Sequence, residues 1–296
     1  MVSNGIDHNI CKQCGTCAAL CPNRIIEKEP DGKNYGFNPD RVHLCLKCGH
    51  CMAACPNQAV QVEGLSYEDD FFELPKQGLD EQGFFDLIST RRTVRAFKDK
   101  PVEGEKLERI IEAISLAPMG FPPHKVQVTV IPDRELLEKA LPMLVEFYWK
   151  LIGWLENPIA RFRIKHKLPL ETFNAMQGHL KPILEKRLPY MEEYEVDDIM
   201  RGAPAMLIFH AHIASEAHTD DALIDLTYGI LAAHAMGLGT CALSLIPPAV
   251  NKWGPLKKLF QIPDENEVLA AMVLGYPKYR FQRGIKRELA GVTWLG

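Results

Sequence analysis

The chain has 296 residues, of which 47% are hydrophobic and 24% are charged, and its formal net charge is -4. This composition supplies enough apolar surface for a buried core, which excludes a largely disordered chain. The slightly acidic balance provides no basic surface for the phosphate backbone of DNA or RNA, so no nucleic-acid partner is expected.

The N-terminal segment does not resemble an export signal. The first residues, MVSNGIDHNICKQC, lack the apolar core of a signal peptide, so we expect a cytoplasmic protein. The most apolar long stretch, residues 141–155, contains Glu146 and Lys150 and is shorter than the roughly 20 residues that cross a bilayer. A packed helix is predicted there, and no membrane span.

Two copies of the pattern C-x2-C-x2-C-x3-C-P follow. They comprise Cys11, Cys14, Cys17 and Cys21 in the first copy, and Cys45, Cys48, Cys51 and Cys55 in the second. Three thiolates at this spacing wrap around one corner of an iron–sulfur cubane. Structural zinc sites are an alternative, although they need no third cysteine at this spacing, and a disulfide framework is another, although it suits an oxidising compartment.

Residues 1–65 carry these motifs and resemble the bacterial two-cluster ferredoxins. The resemblance implies two [4Fe-4S] clusters, in which the fourth cysteine of each copy ligates the cluster of the other copy. It assigns Cys11, Cys14, Cys17 and Cys55 to one cluster, and Cys21, Cys45, Cys48 and Cys51 to the other.

Turn residues mark the connections between these elements. Residues 28–44 contain Asp31-Gly32 and Asn38-Pro39-Asp40, which predict a hairpin between the two cysteine runs. Residues 66–83 lose periodicity and collect acidic residues, proline and glycine, which is typical of an exposed linker. A second domain is predicted over residues 84–296.

The second domain opens with a helical pattern and then Arg91, Arg92, Thr93 and Arg95. Arginine offers a planar fork of donors to a phosphate, and a neighbouring hydroxyl can complete the site. The alternative is a solvated surface cluster, because charged side chains are usually exposed.

Four motifs of residues 84–296 resemble those of the FMN-dependent nitroreductases. Residues 91–97 (R-R-T-V-R-A-F) resemble R-R-S-x-R-x-F, and residues 117–120 (A-P-M-G) resemble A-P-S-G. Residues 225–240 resemble a core helix ending in A-x-x-x-G-L-G-T, and residues 273–277 with the basic tail resemble the last strand.

This resemblance implies the FMN contacts. Arg91 and Thr93 would hold the ribityl phosphate with Arg92 alongside, and Arg95 would lie by N1 and O2 of the flavin, where a cation favours the anionic reduced form. The tail would direct Arg283 and Arg287 to the phosphate. The other implied contacts are Pro118, Met119, Gly120, Gly237, Leu238, Gly239, Thr240, Leu243, Ser244 and Leu245, and the segment of the last three would offer a backbone N–H to flavin N5.

Residues 237–242 also fit the dinucleotide fingerprint G-x-G-x-x-A. That fingerprint must follow a strand and open a helix. Here the preceding residues have helical periodicity, so Gly237 is expected to close a helix at its C-terminal cap, and no Rossmann domain is predicted.

The chain departs from the nitroreductase pattern at residues 121–125, where F-P-P-H-K replaces an asparagine followed by Q-P-W. This departure makes His124 a candidate proton source near the substrate. The alternative is a partly exposed loop histidine without a catalytic role.

Other features of the second domain have simpler interpretations. Residues 133–200 are predicted to form a helical insertion. The resemblance implies that this insertion covers the flavin or completes the dimer, and simple packing is the alternative. The basic run 161–167 is expected to be a solvated face, with an acidic partner as the alternative. His210 and His212 have no nearby acidic or thiol ligands in sequence, and Cys241 is expected in the core.

The predicted fold class is α+β, with a small ferredoxin-like domain followed by a nitroreductase-like sandwich that pairs into a homodimer with FMN between the subunits. We expect an oxidoreductase in which a reduced ferredoxin or another low-potential donor supplies electrons through the clusters to FMN, which reduces a nitroaromatic, a quinone or an activated alkene. The alternatives are an electron-transfer module for a protein partner, an NAD(P)H-driven flavin reductase, and a redox sensor without turnover.

Overall fold

The computed structural model describes residues 4–30, 32–76, 78–216 and 218–296, so Asp31 of the predicted turn lies outside the described residues. The chain divides into two compact units. The first comprises Met1–Gly78 with Met119–Lys125, and the second comprises Leu79–Pro118 with Val126–Gly296.

The first unit repeats one arrangement twice. Its elements in chain order are β1 (Gly5–Ile6), α1 (Thr16–Leu20), β2 (Ile26–Lys28), β3 (Tyr35–Phe37), a 3-10 turn (Val42–Leu44), α2 (His50–Ala53) and β4 (Val60–Gln61). Strand β1 pairs with β4 and β2 pairs with β3, both antiparallel, so the predicted hairpin between the cysteine runs is present. Each helix follows a glycine in the left-handed region, Gly15 with φ 73° and Gly49 with φ 74°.

Aromatic residues extend this unit beyond residue 65. Tyr67 and Phe71 pack against the core built on Ile26, Met52 and Val60, and their ring centroids lie 5.4 Å apart. The structure therefore differs from the expected boundaries. Part of the predicted linker packs on the first unit, which continues to Gly78.

The second unit is a sheet between helices. Its elements are α3 (Glu81–Thr90), α4 (Gly104–Ser115), β5 (Gln127–Ile131), α5 (Arg134–Glu156), α6 (Pro158–Lys167), α7 (Leu170–Ala175), a π-helical turn (Met176–Leu180), α8 (Lys181–Tyr194), β6 (Ala205–His212), α9 (His218–Ala235), β7 (Gly239–Ala242), α10 (Ile246–Lys252), α11 (Gly254–Leu259) and β8 (Asn266–Gly275). Helix α3 begins before the predicted Phe84, because the Asp80 side chain accepts a hydrogen bond from the Gly83 N–H at 2.8 Å and caps the helix.

The antiparallel sheet has the strand order β5-β6-β8-β7. Strand β6 is buried on both faces, because alternate residues enter different core layers. Met206 and Ile208 face the layer that includes α5, α8, α10 and α11, whereas Leu207 and Phe209 face the layer of α4 and α9. Helices on both sides of a sheet confirm the predicted α+β sandwich.

The helical insertion consists of α5 to α8. Helix α5 buries a stripe that includes Leu137, Leu144, Tyr148 and Leu155, as its periodicity predicts. Helix α6 carries the basic run and buries none of its residues, which agrees with a solvated face. Among the described helices, none combines the length and apolar character that a bilayer crossing requires.

A polar network interrupts the apolar interior at β6. The buried His210 lies with Nε2 3.1 Å from the Thr129 hydroxyl, and its Nδ1 lies 2.8 Å from the Asn266 amide nitrogen. Because the amide donates to Nδ1, this ring is neutral and donates from Nε2. Burial, with a smaller contribution from the charge of Lys257, lowers the pKa of His210.

This lowered pKa predicts acid sensitivity. A histidine whose folded pKa lies below its unfolded value of about 6.5 stabilises the fold fully above that pH, and the stabilisation is lost as the pH falls further. Relative to a His210→Gln variant, the wild type should lose roughly 1 kcal/mol of unfolding free energy per pH unit below about 6.5. Urea unfolding between pH 5 and 7.5 measures this difference. The exposed His166→Gln variant is the control, and a pH-independent difference for His210 would contradict the prediction.

Candidate cofactor sites

The eight cysteines of the two motifs form two rings in the first unit. One cavity is lined by Cys11, Cys14, Cys17 and Cys55, and a second by Cys21, Cys45, Cys48 and Cys51. Each ring thus contains three cysteines of one motif and the fourth cysteine of the other. All nine cysteines of the chain are free.

The donor set of each ring fits a polynuclear iron–sulfur cluster. Backbone N–H groups donate to three of the sulfurs at 3.3 Å, from Gln13 to Cys11, from Ile25 to Cys21 and from Ala59 to Cys55. Such bonds stabilise thiolates and tune cluster potentials. Burial raises the pKa of Cys51 to about 11, so metal binding must displace its proton.

In the second unit, the arginine segment 91–97 lies between two other predicted motifs. On one side, the Val94 N–H donates to the Thr240 carbonyl at 2.9 Å, and Thr93 forms a parallel bridge with Thr240. On the other side, the Lys98 N–H donates to the Tyr276 carbonyl at 2.8 Å. The backbone thus brings together three motifs that are far apart in sequence.

The glycine motif shapes this contact. Gly237, with φ 77°, closes α9, and the Leu238 N–H donates to the Ala233 carbonyl at 2.8 Å. The glycines therefore end a helix, as predicted, and strand β7 follows. A Cβ atom on Gly239 would lie 2.4 Å from Cγ2 of Val94, so only glycine lets the arginine segment approach β7 this closely.

A Gly239→Ala substitution should therefore disturb both the fold and the arginine segment. We expect a cost of about 1–3 kcal/mol from the overlap with Val94, measured by urea unfolding, together with weaker FMN binding. Adding Val94→Ala should recover part of this loss beyond additivity. Gly237→Ala is the matched control, because its cost arises from a left-handed backbone and Val94→Ala should not relieve it. If the effects of Gly239→Ala and Val94→Ala on the free energy of unfolding were simply additive, the assigned overlap between the two residues would be contradicted.

Cationic side chains line a cleft of about 720 Å³ beside this segment. The polar lining includes Arg91, Arg92, Thr93, Arg95, Arg287 and a single carboxylate, Asp86. Nε of Arg92 is buried without a hydrogen-bond partner in the described part of the chain. Positive charge and an unsatisfied buried donor fit the phosphate group of a flavin nucleotide.

A second cleft of about 500 Å³ shares Arg91 and Arg92 with the first, and its lining includes residues 237–240. Sequence reasoning did not identify several of its other lining residues, namely Thr90, Lys98, His234, Lys278 and Arg280. The Nε2 atom of His234 lies 3.0 Å from the Thr90 hydroxyl. Burial first, and then the charges of Arg91 and Arg92, lower the pKa of His234.

A model of the nitroreductase family matches residues 88–276, and a model of the 4Fe-4S dicluster domain matches residues 10–60. The chain belongs to the nitroreductase family. It is an FMN-dependent oxidoreductase of that family and carries a 4Fe-4S ferredoxin domain.

Relatives match about two thirds of the chain. A protein of Archaeoglobus fulgidus, whose name joins NADH dehydrogenase and NAD(P)H nitroreductase, is 25% identical over 192 residues, which are 65% of this chain and 84% of the relative. The FMN reductase (NAD(P)H) of Bacillus subtilis is 25% identical over 199 residues, and the match spans 65% of each chain. An FMN-bound nitroreductase structure from Bacteroides fragilis shares the fold with a TM-score of 0.53 and 17% identity, covering 71% of this chain and 97% of that one.

In the nitroreductase domain, the segment after β7 differs in one respect from expectation. The Leu243 N–H donates to the Ala271 carbonyl at 2.9 Å, so it is engaged in the sheet and is not free for a flavin nitrogen. Within the described part of the chain, the N–H groups of Ser244 and Leu245 donate no hydrogen bond. The buried Tyr148 hydroxyl donates to the Leu245 carbonyl.

The remaining predicted contacts lie elsewhere. Pro118 belongs to the nitroreductase unit, whereas residues 119–125, with Met119, Gly120 and His124, group with the first unit. Arg283 is exposed and is not among the residues that line the two clefts. The site as described is thus centred on Arg91, Arg92, Thr93, Arg95 and Arg287.

Proposed function

We propose that this nitroreductase-family protein takes single electrons from a low-potential donor through two [4Fe-4S] clusters to FMN and reduces a small organic acceptor. The observation that supports this most is the presence of two four-cysteine rings in the same chain as a nitroreductase domain. Iron–sulfur clusters transfer electrons singly, whereas bound FMN stores two and delivers them together as a hydride equivalent. Nitroaromatics, quinones and activated alkenes accept such a pair.

The proposed roles of the FMN-binding residues follow from charge and position. Arg91, Thr93 and Arg287 bind the phosphate, and Arg92 supports them with its unsatisfied Nε. Arg95 lines the same cleft. In this proposal it contacts N1 and O2 of the flavin, where its charge favours the reduced anionic flavin and raises the two-electron potential. Ser244 or Leu245 supplies the backbone N–H for N5.

Two further parts of the proposal concern assembly and proton transfer. The C-terminal tail exposes Leu289, Trp294 and Leu295 at 79%, 91% and 94%, which suits a homodimer whose partner covers them and shares the FMN site. Sedimentation of the FMN-loaded protein tests this, because a monomer would contradict it. His124 is proposed as a proton donor, which predicts a lower kcat for His124→Gln in steady-state turnover.

The deciding experiment compares electron donors under anaerobic conditions. Reduced ferredoxin, NADH and NADPH are each mixed with the wild type and with a Cys14→Ala variant, and reduction of FMN is followed by stopped flow. Ferredoxin should reduce the wild type at least tenfold faster than the variant. Fast reduction of both forms by NADH, with no reduction by ferredoxin, would instead support an NAD(P)H-driven flavin reductase. The reduced enzyme is then mixed with nitroaromatic, quinone and enoate acceptors. If none of these acceptors reoxidised the flavin, the proposed enzymatic activity would be contradicted.

A further inference from the structure

The second cleft, of about 500 Å³, carries more positive charge than a flavin phosphate in the first cleft requires. It shares Arg91 and Arg92 with the first cleft, and Lys98, Lys278 and Arg280 line the second cleft alone. Among the described residues, its lining contains no carboxylate, and none of these five cations forms an ion pair. A cleft with uncompensated positive charge attracts an anion of its own.

Backbone hydrogen bonds hold two of these cations on the cleft. The Lys98 N–H donates to the Tyr276 carbonyl at 2.8 Å, and the Lys278 N–H donates to the Ala96 carbonyl at 2.9 Å. An antiparallel bridge lies between these two bonds. The two chain segments are thus fixed side by side although their lysines repel each other, and an anion bound between the lysines relieves this repulsion.

Aromatic residues complete the lining of the second cleft. Tyr279 and Phe281 line it, and they expose 68% and 55% of their surface. Exposed aromatic side chains stack on nucleobases, because every base has an aromatic face. The volume of the cleft also falls within the range of small-molecule sites. Cations and aromatic rings on one cleft favour a ligand that joins phosphate groups to a base.

We propose that the second cleft binds a nucleoside diphosphate, either free or as one half of a dinucleotide. The phosphates contact Lys98, Lys278 and Arg280. The base packs against Tyr279 and Phe281. A diphosphate bears more negative charge than a single phosphate and therefore complements this cleft better. The inference rests on the proposed function in one respect, since it leaves the first cleft to the phosphate of FMN.

The test is calorimetric titration of ADP into the FMN-loaded, full-length protein. ADP should bind saturably, and pyrophosphate and adenosine should each bind at least tenfold more weakly, because each lacks one half of the recognised group. Displacement of ADP by NADH would identify the ligand as half of a dinucleotide, whereas ADP binding that NADH leaves unchanged would identify a free nucleotide. No binding of ADP, or equal affinity for ADP and pyrophosphate, would overturn the inference.

Two arginines of the tail provide matched variants, because both are exposed and each lines only one cleft. Arg280→Gln should weaken ADP binding about tenfold and keep FMN affinity within twofold. Arg287→Gln should weaken FMN binding and keep ADP affinity within twofold. Arg91→Gln changes the wall that both clefts share and should weaken the binding of both ligands.

The variants also separate the second cleft from the flavin site. If Arg280→Gln weakened FMN binding as much as ADP binding, the second cleft would be part of the flavin site and the inference would be wrong. A wild type that bound ADP but not FMN would contradict the proposed function and still support the nucleotide site.

Discussion

Replacing Cys55 by alanine should remove the cluster of the first cysteine motif and leave that of the second. Cys55 belongs to the second motif in sequence but lines the cavity of Cys11, Cys14 and Cys17. A cubane that loses one of four thiolates is destabilised, so iron should fall from about eight to about four atoms per chain. Iron analysis and electron paramagnetic resonance of the reduced protein measure this loss.

Two double variants test directly whether Cys55 belongs to the ring of the first motif. Cys55→Ala combined with Cys14→Ala affects one ring and should retain about four iron atoms, whereas Cys55→Ala combined with Cys48→Ala affects both rings and should retain almost none. An uncrossed assignment predicts the opposite order. Cys241→Ala changes the one buried cysteine outside the motifs and should keep the full iron content.

Replacing Arg91 by glutamine should weaken FMN binding about 10- to 100-fold, because a charge-assisted hydrogen bond to phosphate is worth about 1.5–3 kcal/mol. Arg91 lines both clefts and is half-buried, so its charge is screened less than that of a surface residue. Equilibrium dialysis of FMN at low and high salt measures the loss. The salt dependence should also be smaller in the variant, since one phosphate contact is gone.

The control for Arg91 is Arg163→Gln in the exposed basic run of α6. It removes the same charge from the same unit, but it lies outside the clefts' lining residues, and FMN affinity should stay within twofold. Equal losses in the two variants would mean that the phosphate is attracted only by the general field of the protein. Unchanged affinity in both would refute the arginine cleft as the phosphate site.

The local features of the site were predictable because they depend on short spacing. The cysteine motifs, the helix that ends at Gly237 and the apolar stripe of α5 each follow from residue patterns within one or two helical turns. Patterns of this kind determine the backbone and one face of an element. They identified the buried face of α5 without revealing that the Tyr148 hydroxyl donates to the Leu245 carbonyl.

The features that were missed depend on distant partners. Tyr67 and Phe71 lie among acidic residues and suggested a linker, yet they find apolar partners on the first unit. The N–H of Leu243 seemed free for the flavin, but a strand that begins more than twenty residues later accepts it through Ala271. Spacing rules cannot predict such partners, because these contacts form only after distant segments of the chain have folded together.

The position of the arginine segment between β7 and the tail also implies an order of maturation for the protein. Synthesis proceeds from the N-terminus, and both cysteine rings are complete once residue 55 has left the ribosome. The proposed flavin cleft, in contrast, needs Thr240 beside the segment and Arg287 from the tail, so it forms only after residue 287 has emerged. Under the proposed function, iron insertion can therefore begin on the nascent chain before the flavin cleft exists.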